Sequence, residues 1–197
     1  MFKELDCRKQ ACPQPIIDTK KALEAGHDEL TVVVDSIVSR DNVRRFASSQ
    51  GHKVEIEDKG SGLYHLHINR NPDTAVKLAE TIAANPGGVV VFITTDKLGE
   101  GDERLGSILM KAFLNTMHDS EPKPAMILFI NNGVRLTIED SEVLDSLEAL
   151  IQDGVQIMSC GTCLTYYDIL DKLKVGIVGN MYDIVNALLE AGKIIKI

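Results

Sequence analysis

Two short cysteine motifs hold the reactive side chains of this sequence: Cys12-Pro13-Gln14-Pro15 and Cys160-Gly161-Thr162-Cys163. The first places a thiol immediately before a predicted helix. Proline suits the start of a helix, because it has no N–H to satisfy and its φ is already helical. Pro13 and Pro15 both fall in the predicted first turn. The amphipathic pattern then runs through Ile16, Ile17, Lys20, Lys21, Ala22 and Leu23 and stops at Gly26, which predicts a helix over residues 13–25. Cys12 is thus expected at or next to the N-cap. Unpaired amides and the positive end of the helix dipole favour a thiolate there, and the thiolate is the nucleophilic form. Arg8 and Lys9 add positive charge beside it. The competing reading is a small buried apolar residue ahead of a proline-started helix.

In the second motif, Cys160 follows a predicted strand (155–158) and precedes a short helix. Ligands gather at the carboxyl ends of strands in open α/β sheets, so this thiol is expected at that edge, with Cys163 one turn further on. A C-x-x-C pair suits dithiol redox chemistry; two small residues in a tight strand-to-helix turn is the alternative. Cys7, Cys12, Cys160 and Cys163 are enough for a four-thiolate zinc site. The first pair, however, is spaced C-x4-C and lies on a different predicted domain from the second, so neither metal nor cofactor is expected. His27, His52, His65, His67 and His118 show no ligand spacing, and His65 and His67 share one face of a strand. Gly99-Glu100-Gly101 is flanked by Asp102 and Glu103, whose charge would repel a phosphate.

The elements that must position these thiols follow from periodicity. A strand at 2–6 and the Cys12 helix come first, then a β-branched strand at Leu30–Val34. A second helix begins near a cap at Ser39 or Asp41, turns Val43, Phe46 and Ala47 inward, and ends at Gly51. Two alternating strands, 53–57 and 63–68, flank the hairpin turn Lys59-Gly60-Ser61-Gly62. The order is β-α-β-α-β-β, two helices on one face of a partly antiparallel sheet. The polar run 69–73 marks the best boundary, giving domains at 1–71 and 88–197 joined by a linker helix within 72–87. After it, continuous apolar runs at 89–94 and 125–130 read as strands buried on both faces. They alternate with helices at 103–117, 141–153 and 180–191, and the turn Asn131-Asn132-Gly133-Val134 follows the second strand. A last strand lies at 193–197. The second domain is therefore α/β with a largely parallel sheet.

Composition bounds the rest. The chain has 197 residues, 44% of them hydrophobic and 25% charged, as in ordinary globular proteins. The net charge of −8 belongs to residues 72–197, the first 71 being balanced. That acidity argues against nucleic acid as partner. The sequence has no apolar run of membrane-span length and no signal-peptide pattern at its start, so a cytoplasmic protein is expected.

Leu5-Asp6, Ala11-Cys12-Pro13-Gln14-Pro15 and Ala22-Leu23, with the strand order that follows, resemble the TusA-like (SirA-like) sulfur-carrier domain over residues 2–70. Members take a persulfide sulfur onto this cysteine and pass it to another thiol, so the resemblance implies that role for Cys12, supported by Pro13 and Pro15. Residues 88–197 resemble the three-layer DsrE-like domain through Leu105-Gly106, Leu109 to Leu114, Asn132-Gly133-Val134 and Cys160-Gly161-Thr162-Cys163. That likeness implies a homo-oligomer, with Cys160 as the sulfur-accepting thiol and Cys163 as its partner beside Gly161. The two joined in this order resemble the sulfurtransferase-like proteins of selenium metabolism. The implied partners are a persulfide donor, such as a cysteine desulfurase or an upstream sulfur carrier, and an acceptor thiol protein. A dithiol redox protein using Cys160 and Cys163, and a non-catalytic oligomeric binding or regulatory module, are the alternative readings.

Overall fold

A computed structural model describes residues 2–27, 29–69 and 87–197. The chain divides into two compact units. Residues 70–86, which hold most of the expected boundary run and of the linker segment, lie outside the described residues.

The first unit is built from β1 (Phe2–Asp6), α1 (Gln14–Glu24), β2 (Glu29–Val34), α2 (Ile37–Ser49), β3 (Lys53–Gly60) and β4 (Leu63–Asn69). The sheet order is β1-β2-β4-β3. The β1–β2 pair is parallel, and β4 runs antiparallel to both β2 and β3. The alternation read from the sequence sets the register: Tyr64, Leu66 and Ile68 are buried, while His65 and His67 lie on the opposite, partly exposed face. Ile16 and Ala22 of α1 and Val43, Phe46 and Ala47 of α2 pack with Leu30, Val32, Val34 and those β4 residues into one core. Each fully buried aliphatic or aromatic side chain there contributes roughly 1.5–3 kcal/mol. Gly60 and Gly62 take positive φ (80° and 78°) in the hairpin between β3 and β4, a conformation that glycine adopts without strain.

Two helix starts differ from expectation. Pro13 is the N-cap of α1 rather than its first helical residue, and Pro15 occupies the second position. In α2 the cap is Ser36, whose Oγ accepts the Ser39 N–H at 3.1 Å. Ser39 and Asp41, the expected caps, lie inside the helix and are buried. The earlier start is favoured because Ser36 takes the extended backbone that an N-cap requires.

The second unit contains β5 (Val89–Ile93), α3 (Glu103–Asp119), β6 (Met126–Phe129), a 3-10 helix (Asn131–Thr137), α4 (Leu144–Gln152), β7 (Gln156–Cys160), α5 (Gly161–Tyr166), a short 3-10 turn (Leu170–Lys172), β8 (Ile177–Gly179), α6 (Met181–Glu190) and β9 (Lys193–Lys196). All four strand pairings are parallel, in the order β8-β7-β6-β5-β9. Every residue of β6 is buried, as its unbroken apolar run requires. Asp102 caps α3, its Oδ1 accepting the Leu105 N–H at 2.8 Å. Strand β8 was not expected: a three-residue strand that ends in a glycine is too short to show a period. The predicted 131–134 turn is the first part of the 3-10 helix, and α4 begins at Leu144 rather than Ser141. Among the described residues no helix is long and apolar enough to cross a membrane.

Candidate functional site

The first thiol is held by a braced loop. Asp6, the last residue of β1, takes three hydrogen bonds from Arg8: from its backbone N–H (3.1 Å), from Nε (2.8 Å) and from a terminal guanidinium nitrogen (2.6 Å). The Arg8 side-chain bond holds the Asp6 carboxyl down at about 2. The Lys9 N–H bonds Asp35 Oδ2 at 2.9 Å, with Lys9 at φ 61°. The Cys7 N–H continues the sheet to Val33 O at 2.8 Å. Arg8 is thus committed by its hydrogen bonds to Asp6.

Cys12 lies half-buried one residue ahead of the Pro13 cap. The amides of the helix start have backbone acceptors. Pro13 and Pro15 have none, the Gln14 N–H goes to Ala11 O at 2.9 Å, and the Ile16 N–H goes to Pro13 O at 3.0 Å. The other helix supplies a donor: Asn42 Nδ2 of α2 lies 3.7 Å from Cys12 Sγ. Asn42 is 2% exposed, and its Oδ1 accepts no hydrogen bond among the described residues. The sequence reading missed it. The available signal was a polar residue beside Val43 on the inward face of a helix.

Cys7 is a core residue. It is 1% exposed, and burial, with Asp18 and Asp6 adding to it, pushes its thiol up to about 11. Among the described residues no group of three or more His, Cys, Asp or Glu side chains is placed to hold a metal ion.

The second motif stands at the carboxyl ends of neighbouring strands. Cys160 ends β7 and caps α5, and Cys163 lies in the first turn of α5. The 3-10 helix after β6 is laid beside it. Thr137 Oγ1, donating to Val134 O at 2.8 Å, shares a second hydrogen bond of 2.9 Å with Ser159 Oγ of β7. Gly133 permits the close approach, since a Cβ there would come 2.6 Å from Ile93 O. Asn131, at φ 49°, then aims its N–H at Cys163 Sγ, 3.1 Å away. Tyr167 Oη donates to Asn131 Oδ1 at 2.7 Å, and the Arg135 guanidinium stacks 4.5 Å from the Tyr167 ring.

The two thiols of this pair differ. The Cys160 S–H, hydrogen-bonded to Cys163, brings the Cys163 thiol down to about 6, and the Asn131 N–H acts in the same direction against burial. Cys160 is 1% exposed and pushed well up, first by that shared bond and then by burial. Of the two, Cys163 is the less buried thiol and the one held below the ordinary thiol range.

The described residues thus hold a half-buried thiol on a loop braced by a small α/β core and a pair of unlike thiols at a parallel-sheet edge. The chain belongs to the TusA sulfurtransferase family, whose model matches residues 3–70. Over 71 residues it is 34% identical to a Methanocaldococcus jannaschii protein that bears a sulfur-carrier name, covering 35% of this chain and 95% of the relative. A Thermotoga maritima protein of the same naming is 33% identical over 69 residues, 34% of this chain and 87% of its own length. A solved SirA-like protein from Desulfitobacterium hafniense is 34% identical, with a TM-score of 0.33, covering 36% of this chain and 99% of that one. For the second unit, a structure of a protein of unknown function from Methanobacterium thermoautotrophicum is 27% identical, with a TM-score of 0.39, covering 55% of this chain and 97% of that one.

Proposed function

We propose that this protein carries sulfur, or selenium, as a persulfide on Cys12 and hands it to an acceptor thiol. The supporting observation is the half-buried Cys12 on its braced loop, in a unit that belongs to a family of sulfur carriers. The thiolate attacks the outer sulfur of a donor persulfide. A bond forms between Cys12 Sγ and that sulfur, the donor's S–S bond breaks, and the electron pair leaves on the donor's inner sulfur as a thiolate. Delivery is the same displacement with the acceptor as nucleophile, and neither step requires a metal or cofactor. A cysteine desulfurase or an upstream carrier would serve as donor.

We read the second unit as a DsrE-like three-layer domain that assembles with copies of itself and holds the internal acceptor. Cys163 is the favoured acceptor because the Cys160 S–H and the Asn131 N–H both support its thiolate. The pairing of the two units resembles that of the YedF-like proteins of selenium metabolism, and the selenium link rests on that resemblance.

The test replaces Cys12. After incubation with a cysteine desulfurase and cysteine, the Cys12→Ala chain should gain no sulfur on peptides of the first unit. Loading equal to that of the parent would overturn the reading.

A further inference from the structure

At the start of the Cys12 helix the Gln14 and Ile16 amides bond Ala11 O and Pro13 O. Asn42 is the residue whose presence the fold does not account for. It sits inside α2, where asparagine is a weak helix former, and it is buried beside Val43 and Phe46. Its Nδ2 points at Cys12 Sγ (3.7 Å), and its Oδ1 is buried with no donor among the described residues. An unmatched buried carbonyl is costly, and a leucine of similar size would remove that cost. Gln10, two residues before Cys12, holds a second buried carbonyl, Oε1, in the same condition. The Cys12 loop and the helix packed against it thus each hold one buried acceptor with no donor among the described residues. The neighbouring charges are largely engaged: Asp6 with Arg8, Asp35 with the Lys9 N–H, Asp18 with Gln14 Nε2, and Asp41 with Arg40. Arg45 of α2 is half-buried.

We infer that Asn42 is the positioning residue of the Cys12 site: its Nδ2–H supports the attacking sulfur, and its Oδ1 receives the S–H or Se–H of the loaded group. This inference rests on the carrier reading for its second half only. Before loading, the amide donates to the thiolate. After the displacement, the outer atom keeps its hydrogen, and Cys12-S-SH places a donor within reach of the open carbonyl. The same amide thus serves both states without rearranging the loop.

The experiment compares the full-length parent with Asn42→Leu and Asn42→Asp. The rate of Cys12 alkylation by iodoacetamide is followed against pH by peptide mapping, alongside thermal unfolding and the lifetime of the persulfide. In Asn42→Leu the midpoint of the alkylation profile should rise by about one pH unit, and alkylation at pH 7 should slow roughly tenfold. The unfolding midpoint should be unchanged or higher, which a merely structural role would not give, and the loaded sulfur should be lost sooner. Asn42→Asp, which puts a carboxylate at the sulfur, should shift the profile at least as far. A parent-like profile in both variants overturns the inference. Should both variants fail to fold, side-chain amide NMR of the parent decides. The Asn42 NH2 signals should titrate with Cys12 and move again on loading, and signals indifferent to both would overturn it. Failure of the parent to load any sulfur would refute the carrier reading instead, and the alkylation profiles would still judge the donor role of Asn42.

Discussion

Four cysteines of one residue type occupy four environments, and the chemistry follows the environment. Cys7 is sealed among apolar side chains, and the charged form is excluded there by desolvation. Cys160 is equally sealed but gives its hydrogen bond to Cys163, so one thiol of the pair stays protonated while the other ionises. Sequence spacing showed the C-x-x-C motif and its strand edge but could not rank its two thiols, because the ranking depends on the hydrogen bond between them, on how deeply each is buried and on an amide 32 residues away. The rate of Cys163 alkylation should therefore rise with pH through a midpoint near 6, since its folded-state value lies below the ordinary thiol range. Cys160 should stay protected at that pH, and Cys160→Ala, which removes the S–H donor, should move the Cys163 midpoint upward. Mass spectrometry of alkylated peptides reads both effects, and an unshifted midpoint in that variant would refute the pairing. Cys7→Ala should cost about 1 kcal/mol in denaturant unfolding and leave sulfur loading of the chain intact.

Elements with a clear period were the most legible. The alternation at 63–68 and the apolar runs at 89–94 and 125–130 each became a strand, because burial on one face or two imposes those patterns. The helix at 103 was marked by its Asp102 cap. Caps chosen among several candidates were less legible. Ser36, Ser39 and Asp41 all have capping side chains, and which one is used depends on where the backbone leaves β2. Strand β8 lacks a period altogether, being defined by its pairing with β7. The Cys12 loop was visible as a motif, but its bracing by Asp6, Arg8 and Asp35 joins three segments and leaves no local signature. Ser36→Ala removes the cap of the helix that carries Asn42. It should lower stability by about 1 kcal/mol, measured by urea unfolding, without altering the Cys12 alkylation midpoint.

The whole molecule joins a charge-balanced unit of the TusA family to an acidic α/β unit whose Cys163 thiol is held below the ordinary range. The proposed division of labour has an order: sulfur arrives on Cys12 and moves on to Cys163. In a time course with a desulfurase and cysteine, peptide mapping should find sulfur on Cys12 first and on Cys163 later. Cys12→Ala should then leave both sites empty, whereas Cys163→Ala should let sulfur accumulate on Cys12. Sulfur on Cys163 in the Cys12→Ala chain would show that the second unit loads independently.

The central claim is that Cys12 is the carrier, and one measurement reaches it directly. Intact-protein mass spectrometry of the parent chain, after incubation with a cysteine desulfurase and cysteine, should show a gain of one sulfur that dithiothreitol removes and that peptide mapping assigns to Cys12. A chain whose Cys12 alkylates freely yet never gains that sulfur would contradict the account.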